Sequence, residues 1–265
     1  MLLCGFKLFA WNSVGHRVIA QMAYDQLTPA ARVILLSYNN ALNRQFARAS
    51  FVASAVWLDQ LYSPQLKFIR QMHYIDSPYT REKITINLPQ PQRINVIWAI
   101  RLAINRLHMQ QASALDKGLA VRFILHLIGD IHQPLHAITC ISPQYPAGDR
   151  GGNLVRLKQN HVANNLHAYW DRGAGLWSGK WSAKKVQRMA VKLAQLYPCR
   201  QEDNYLDPSA WAQESYAIGS KFAYNYSENH ILSADYQSTA QNIIAKRTAL
   251  SACRLAAVLN DIALK

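Results

Sequence analysis

The chain has 265 residues, half of them hydrophobic and 17% charged, which excludes a disordered protein and favours a globular fold. Its 29 Lys and Arg residues exceed its 15 Asp and Glu residues and give a formal charge of +14. This balance attracts polyanions such as nucleic acid, acidic lipid or phosphorylated substrates, although a solvated basic surface would give the same count. Beyond the first residues, no stretch is long and apolar enough to span a membrane.

The first ten residues, MLLCGFKLFA, resemble the end of a secretory signal peptide, with Ala10 at the cleavage position. The stretch lacks a basic start and is interrupted by Lys7, which a start codon chosen too far downstream would explain. We therefore predict a signal peptide over residues 1–10 and a single domain over residues 11–265. Trp11 would then become the N-terminal residue, and the protein would be secreted or periplasmic.

Hydrophobic residues recur at intervals of three and four through most of the remaining chain, which predicts amphipathic helices. The predicted helices cover residues 13–27, 29–42, 92–111, 118–138, 161–171, 183–196, 208–226 and 235–263. Ser182 and the pair Asp207-Pro208 are typical helix starts, and Gly118 is a plausible one. Alternating residues at 83–88 and 153–157 predict at most a short β-hairpin or isolated strands. The predicted fold class is therefore all-α, in a single multi-helix domain.

Four cysteines are present, and Cys4 would leave with the signal peptide. Cys140, Cys199 and Cys253 remain, so at most one disulfide forms within the chain. We predict the pair Cys199 and Cys253, with a buried thiol left over.

The stretch HLIGDIHQPLH, residues 126–136, interleaves polar with apolar side chains on the predicted central helix. At about 100° per residue, His126 and Asp130 lie about 40° apart on one face. His136 falls about 80° to the other side of His126, where it would face a neighbouring metal in the same groove. Pro134 would bend the helix before His136. His132 points about 120° away from His126, so we do not assign it as a ligand.

Further candidate ligands lie outside this helix. His167 and Asp171 are again four residues apart, a spacing that suits chelation of one zinc ion. Asp59 and His73 lie in apolar stretches, where a carboxylate would be costly unless it were paired or bound to a metal. His16 provides another imidazole close to the predicted cleavage point.

Taken in order, these motifs resemble the S1/P1 nuclease family, secreted trinuclear-zinc enzymes that cut single-stranded nucleic acid and remove 3′-phosphates from nucleotides. The resemblance rests on Trp-x4-His from residue 11, Trp-x-Asp from 57, His-Tyr-Ile-Asp from 73, His-x3-Asp-x-His-Gln-Pro-Leu-His from 126, Gly-Gly-Asn from 151 and His-x2-Trp-Asp from 167. It covers Trp11 to Asp171 and implies the helical fold of P1 nuclease and zinc phospholipase C, with a catalytic domain over residues 11–265.

The resemblance implies nine metal ligands and three Zn²⁺ ions. The ligands are Asp59, His73 and His126 for the first ion, Trp11 and His16 for the second, Asp130 between those two, and His136, His167 and Asp171 for the third. Because Trp11 would bind through its amine and carbonyl, removal of residues 1–10 would be obligatory for the complete site.

The resemblance also implies the reaction. Asp59 and Asp130 would be the catalytic carboxylates, because they hold the zinc ions between which a bridging hydroxide forms and attacks the phosphorus. No side-chain nucleophile is then needed. The enzyme would cleave single-stranded DNA or RNA to products with 5′-phosphates and would act as a 3′-nucleotidase.

The residues implied to bind substrate follow the ligands in sequence. Tyr74 would be an aromatic platform for a base, and stacking there would contribute about 1–3 kcal/mol per base without regard to sequence. Only an unpaired base can present its face, which explains a preference for single strands. Asp76 would accept hydrogen bonds from the base edge, and Asn153 would orient ligands or substrate.

One position departs from the family pattern. Three residues after Asp59, fungal members usually carry Lys or Arg, where this chain has Tyr62. Lys67 and Arg70 are the candidates to compensate for the missing cation.

Two other functions compete with this interpretation. A zinc-dependent phospholipase C would have a similar fold and zinc cluster, and a basic surface would suit anionic membranes. The features that favour the nuclease are His132 in the Asp-x-His-Gln-Pro order, Asp171 rather than Glu, and Tyr74 with Asp76. The other alternative is a non-enzymatic nucleic-acid-binding module with closed structural zinc sites. For the nuclease we expect single-stranded nucleic acid and nucleotides as partners, no stable protein partner, and a monomer.

Overall fold

The computed structural model describes residues 11–61, 66–81, 90–227 and 230–262. The α-helices of these ranges are α1 (Ser13–Asp25), α2 (Pro29–Asn43), α3 (Phe51–Ser54), α4 (Lys67–Gln71), α5 (Val96–His108), α6 (Ala114–Ile131), α7 (Leu166–Asp171), α8 (Ala183–Leu196), α9 (Pro208–Ile218) and α10 (Ala234–Asp261). The strands β1 (Pro78–Tyr79) and β2 (Thr139–Cys140) form a parallel pair. The predicted all-α fold class is confirmed.

Helix α6 lies at the centre of the fold. It packs against α2 and α5, and also contacts α1, α9 and α10. Residues 124–131 are all buried, as expected of a helix that meets other helices on every side. Polar side chains in this segment therefore face protein rather than water.

The start of α6 differs from the prediction. The helix begins at Ala114, because the Ser113 side chain accepts the backbone N–H of Asp116 and the Asp116 carboxylate accepts the N–H of Ser113. Gly118 lies inside the helix, where an added Cβ atom would come within 2.4 Å of the Tyr38 carbonyl oxygen on α2. The glycine thus allows close packing of two helices and does not start one.

The end of α6 also differs. The predicted helix 118–138 ends at Ile131, and Pro134–His136 forms a separate 3₁₀ turn. Pro134 has no N–H to continue the helix, and the Gln133 side chain accepts the N–H of Leu135 instead. This break redirects the chain, so the angle predicted for His136 on a continuous helix does not apply.

The helices α5 and α7 begin later than predicted, at Val96 and Leu166, because a polar side chain caps each of them there. Asn95 caps α5 and Asn165 caps α7, whereas Ser182 and Asp207 cap α8 and α9 as predicted. The predicted helix 208–226 changes to a π-helical turn over Gly219–Ala223. The short helices α3 and α4 were not predicted.

The sheet differs from the predicted hairpin. Residues 83–88 lie outside the described residues, and residues 153–157 form only an isolated bridge between Arg156 and Asn165. The parallel pair β1–β2 instead joins the segment after His73 to the segment after His136. The small sheet therefore brings together two distant parts of the chain that carry candidate ligands.

The predicted Cys199–Cys253 disulfide is present and ties the segment after α8 to α10, while Cys140 is buried in β2. Within the described ranges, we find no helix that combines the length and apolarity needed to cross a bilayer.

Candidate metal centre and active site

The eight imidazole and carboxylate ligands implied by the resemblance converge from separate elements. They are His16 on α1, Asp59 in the 3₁₀ turn Leu58–Gln60, His73 after α4, His126 and Asp130 on α6, His136 in the turn after α6, and His167 and Asp171 on α7. All are buried except Asp59, which is partly buried.

Asp130 lies in the middle of the first group. Its Oδ2 atom is 2.9 Å from His73 Nδ1 and 3.4 Å from His126 Nε2, whereas its Oδ1 atom is 3.3 Å from His16 Nε2. The two oxygens of one carboxylate thus face different imidazoles. The rings of His16 and His126 stack with their centroids 3.9 Å apart.

Asp59 approaches the same group from another side. Its Oδ1 atom is 3.4 Å from His126 Nε2 and 3.9 Å from His73 Nδ1. Donor atoms of Asp59, His73 and His126 lie within 4.8 Å of one another, as do those of His16, His126 and Asp130. The two sets share His126, so they are adjacent candidate sites for metal ions.

A second group lies at the end of α7. His167 Nε2 is 3.5 Å from Asp171 Oδ2, and His136 Nε2 is 3.8 Å from Asp171 Oδ1. The Gln133 side chain donates a hydrogen bond from Nε2 to Asp171 Oδ1 at 2.7 Å, which fixes the orientation of the carboxylate. Sequence reasoning did not assign this role to Gln133.

Three of the histidines are oriented by backbone carbonyl groups. Each donates a hydrogen bond from Nδ1, to the oxygen of Ala55 for His126 (2.7 Å), of His73 for His136 (2.7 Å) and of Gly151 for His167 (2.8 Å). A carbonyl oxygen can only accept, so each Nδ1 carries a proton and Nε2 is the atom left for a metal, which is the usual arrangement for a histidine that binds one.

Trp11 is buried at the edge of the first group. Its Nε1 atom donates to the Gly129 carbonyl oxygen at 2.9 Å, and Gly129 lies so close to His16 that an added Cβ atom would be 2.9 Å from Nδ1. The N–H of Asn12 donates to the Asp171 carbonyl oxygen at 2.9 Å. Trp11 and Asn12 therefore attach this part of the chain to α6 and α7.

The centre has buried polar atoms that protein hydrogen bonds do not satisfy. They include both ring nitrogens of His16, Oδ1 of Asp130, Oδ1 of Asp59 and Nε2 of His136. Buried polar groups are rarely left in this state. Imidazole nitrogens and carboxylate oxygens at these distances fit a site for Zn²⁺ or a similar divalent cation.

The electrostatics of the centre indicate the same need for a cation. Burial raises the pKa values of the Asp130 and Asp171 carboxyl groups. Burial lowers the pKa of His126, but the nearby Asp130 and Asp59 outweigh it and raise that pKa to about 9. In the chain without a metal, a proton on His126 thus partly neutralises the carboxylates, and metal binding would displace it.

Tyr74 and Asp76, two of the residues implied to bind substrate, follow His73, which contacts Asp130 of the first group and His136 of the second. The His73 carbonyl oxygen accepts from His136, and the N–H of Ile75 donates to the His136 carbonyl oxygen at 2.8 Å, so Tyr74 is anchored on either side. Tyr74 and Asp76 are partly buried. Burial, with a contribution from Asp149, raises the pKa of Asp76 to about 6.

Arg150 is a residue near this region that sequence reasoning missed. Its positive charge acts against burial on the pKa values of both Tyr74 and Asp76. Its N–H donates to Thr139 Oγ1 at 3.1 Å, and its carbonyl oxygen accepts from Asn153 Nδ2 at 2.9 Å. Asn153 thus supports the backbone that presents Arg150. The sequence feature that could have pointed to Arg150 is the pair of glycines directly after it, Gly151 and Gly152.

Arg70 also lowers the pKa of Tyr74 through its charge. Arg70 is one of the two residues expected to compensate for the cation absent at position 62. Its effect on Tyr74 means that it lies near that residue. Tyr62 is outside the described residues.

The helical fold and the buried His/Asp groups define a protein with a multinuclear candidate metal centre. A sequence model of the S1/P1 nuclease family matches residues 11–264, and the chain belongs to this family. It is therefore a nuclease, a hydrolase that acts on phosphodiester bonds. Membership favours the nuclease over the phospholipase C and non-enzymatic alternatives.

Several named nucleases are similar to the chain. It is 26% identical to Endonuclease 4 of Arabidopsis thaliana over 285 residues, covering 95% of this chain and 89% of that protein. It is 26% identical to Nuclease P1 of Penicillium citrinum over 165 residues, covering 61% of this chain and 57% of that one. It is 26% identical to Nuclease S1 of Aspergillus oryzae over 175 residues, covering 62% and 54%.

Proposed function

We propose that the protein is a zinc-dependent phosphodiesterase that cleaves single-stranded DNA and RNA to 5′-phosphorylated products and also acts as a 3′-nucleotidase. The observation that carries this proposal is the buried set of imidazoles and carboxylates, in which both ring nitrogens of His16, Oδ1 of Asp59 and Nε2 of His136 lack protein hydrogen bonds. Three Zn²⁺ ions would be held by Trp11, His16, Asp59, His73, His126, Asp130, His136, His167 and Asp171.

Zinc bound in these sites would supply Lewis acidity and lower the pKa of a coordinated water to near 7. The chain's own contribution is to hold the ligands in place. Asp130 presents one oxygen to His16 and the other to His73 and His126, which suits a carboxylate shared by adjacent ions. Asp59 adds a second negative charge beside that pair.

The group of His136, His167 and Asp171 offers three protein ligands. A tetrahedral zinc ion held there would keep a position open for water or a phosphate oxygen, which is typical of catalytic rather than structural sites. Gln133 keeps the Asp171 carboxylate oriented within this group.

Tyr74 and Asp76 would recognise the base next to the scissile phosphate. A base stacks on Tyr74 only when its face is exposed, so the enzyme prefers single strands. Asp76 would accept hydrogen bonds from the base edge in its ionised form. Arg150, supported by Asn153, and Arg70 would supply the positive charge near the phosphate.

Trp11 would bind one ion through its amine and carbonyl, which requires removal of residues 1–10. Attachment of this end of the domain to Gly129 supports the role, because Gly129 precedes Asp130 and contacts His16. Such processing would make the protein secreted or periplasmic, and we propose that it acts as a monomer.

The test combines metal analysis and N-terminal sequencing of the processed protein with activity assays. We expect three zinc ions per chain, a first residue of Trp11, cleavage of denatured DNA well above duplex DNA, and phosphate release from 3′-AMP. A phosphatidylcholine emulsion serves as the control substrate. Turnover of lipid without DNA, or full activity after exhaustive chelation, would contradict the proposal.

A further inference from the structure

A surface cleft between α5 and the start of α9 has a composition suited to nucleotides. Its volume is about 430 Å³, and it is lined by Asn95, Ile97, Trp98, Arg101, Leu102, Asn105 and Ser209. It contains none of the ligands of the metal centre. An indole ring, aliphatic side chains, amides and a guanidinium group are the components that bind bases and phosphates.

Trp98 is the unusual residue of this cleft. The chain has seven tryptophans, and Trp98 is 42% exposed whereas the other six are buried. Leu102 lies one helical turn further along α5 and is 49% exposed. An indole presented to solvent beside a leucine is a surface on which a base can stack.

The cleft also contains one cationic side chain, Arg101, which forms an ion pair with Asp207. Residues 90–115 include three arginines, Arg93, Arg101 and Arg106, and no acidic residue. Arg101 is held in place at the cleft by hydrogen bonds from Nη2 to Asp207 Oδ1 at 3.0 Å and to Ser209 Oγ at 2.9 Å. The charge of this segment, like the +14 of the whole chain, complements a polyanion.

The backbone that leads into the cleft is hydrogen-bonded to the Tyr74 region. The N–H of Val96, the first residue of α5, donates to the Tyr74 carbonyl oxygen at 3.1 Å. Gln92 donates to the same oxygen at 3.2 Å and accepts the N–H of Asp76 at 3.2 Å. Asn95 lines the cleft and donates to the Gln92 carbonyl oxygen at 2.8 Å. The same backbone therefore supports both surfaces.

We propose that this cleft is an additional subsite for single-stranded nucleic acid, in which a base stacks on Trp98 and a backbone phosphate lies near Arg101. The inference builds on the proposed function, since the strand would extend from the Tyr74 region along α5. It predicts that longer single strands bind better than dinucleotides for reasons unrelated to the metal centre.

The experiment compares a dinucleotide with a ten-residue oligothymidylate as substrates of the zinc-loaded protein. In Trp98→Ala, KM for the oligonucleotide should rise about tenfold while kcat/KM for the dinucleotide changes less than twofold. Trp98→Phe should restore most of the loss because a phenyl ring can still stack. Leu196→Ala removes another exposed apolar side chain, on α8, and serves as the matched control.

Arg101→Gln tests the phosphate contact, with Arg188→Gln on α8 as the control for lost positive charge. Arg101→Gln should weaken oligonucleotide binding about threefold and reduce its salt dependence, whereas the control should have a smaller effect. An equal loss on both substrates, or unchanged KM for the oligonucleotide in Trp98→Ala, would overturn the subsite. A dimer that Trp98→Ala dissociates without affecting KM would assign the cleft to a second copy of the chain, which also overturns it.

Direct binding separates this inference from the proposed function. Fluorescence anisotropy with a phosphorothioate oligonucleotide, which resists hydrolysis, measures affinity whether or not the protein cleaves DNA. If the wild type cleaves nothing, the proposed function fails. The subsite is still tested in that case, because Trp98→Ala should weaken binding of the oligonucleotide about tenfold relative to Leu196→Ala.

Discussion

Two buried polar regions meet at the end of α6, and they differ in how their charges are compensated. In the first, Asp130 and His126 belong to a group in which several donor and acceptor atoms have no hydrogen-bond partner. In the second, on the other side of the helix, Glu214 accepts three hydrogen bonds of 2.7 Å from Arg247 and Arg254.

The second region compensates its own charges. His132 donates from Nδ1 to the Ile128 carbonyl oxygen at 2.7 Å, and its Nε2 faces Arg254 Nη1 at 2.9 Å. Burial, with the charges of Arg247 and Arg254, lowers the pKa of His132 well below its usual value, so the ring is neutral and accepts from the guanidinium. The contrast teaches that burial of histidines and carboxylates does not by itself indicate a metal site. The two regions differ because ligand-type atoms of His16, Asp59 and His136 lack internal partners, whereas His132 and Glu214 have theirs.

Asp130→Asn should have the largest effect on activity. We expect cleavage of single-stranded DNA to fall by about 10³-fold or more, equivalent to about 4 kcal/mol of transition-state stabilisation, because adjacent ions would lose a shared ligand. Steady-state kinetics and zinc content per chain measure the loss. Asp25→Asn replaces an exposed aspartate and should leave both unchanged. Near-normal turnover in Asp130→Asn would remove the distinction between the two regions.

Glu214→Gln should have the largest effect on stability. It leaves the buried guanidinium groups of Arg247 and Arg254 without their carboxylate. The free energy of unfolding should fall by about 2–4 kcal/mol, less than for a fully buried pair because the Glu214 side chain is 38% exposed. Urea denaturation measures it. The folded fraction should retain its zinc, and loss of zinc without loss of stability would contradict the structural role.

Gln133→Ala should have a smaller effect that is confined to one group of ligands. Without the hydrogen bond to Asp171, affinity for the ion held with His136 and His167 should decrease about 10- to 100-fold. Zinc titration against a chromogenic chelator measures this change, and Gln110→Ala, an exposed glutamine, is the control. Equal zinc affinity in both variants would show that Asp171 needs no such support.

Protonation of Asp76 should have the smallest effect, a dependence of KM on pH. Because burial raises its pKa to about 6, the carboxylate that accepts from the base is lost as pH falls below 6, and KM should rise there. Asp76→Asn should remove this dependence in a pH profile of KM.

The same raised pKa has a consequence for folding. The folded state binds the Asp76 proton more tightly than the unfolded state, so this group's contribution to stability is present at low pH and is lost as pH rises through about 6. Asp76→Asn should therefore increase the free energy of unfolding at pH 8. A decrease would contradict the assigned shift.

The sequence predicted part of the fold well, because helix periodicity and caps are local signals. Ser182 and Asp207 begin helices as predicted, and the all-α class follows from the repeated spacing of apolar residues. The predicted end of α6 was wrong, because Pro134 and the Gln133 side chain end the helix before His136. The parallel β1–β2 pair could not be predicted, since it joins segments about sixty residues apart.

By itself, the sequence determined which donors share a helix face. His126 with Asp130, and His167 with Asp171, are four residues apart, and one turn of helix fixes their geometry. Only the tertiary structure decided that Asp59 and His73 approach His126, that Gln133 orients Asp171, and that Arg150 lies near Tyr74. The physical reason is that helical geometry acts over a few residues, whereas distances between remote segments depend on how the whole core packs.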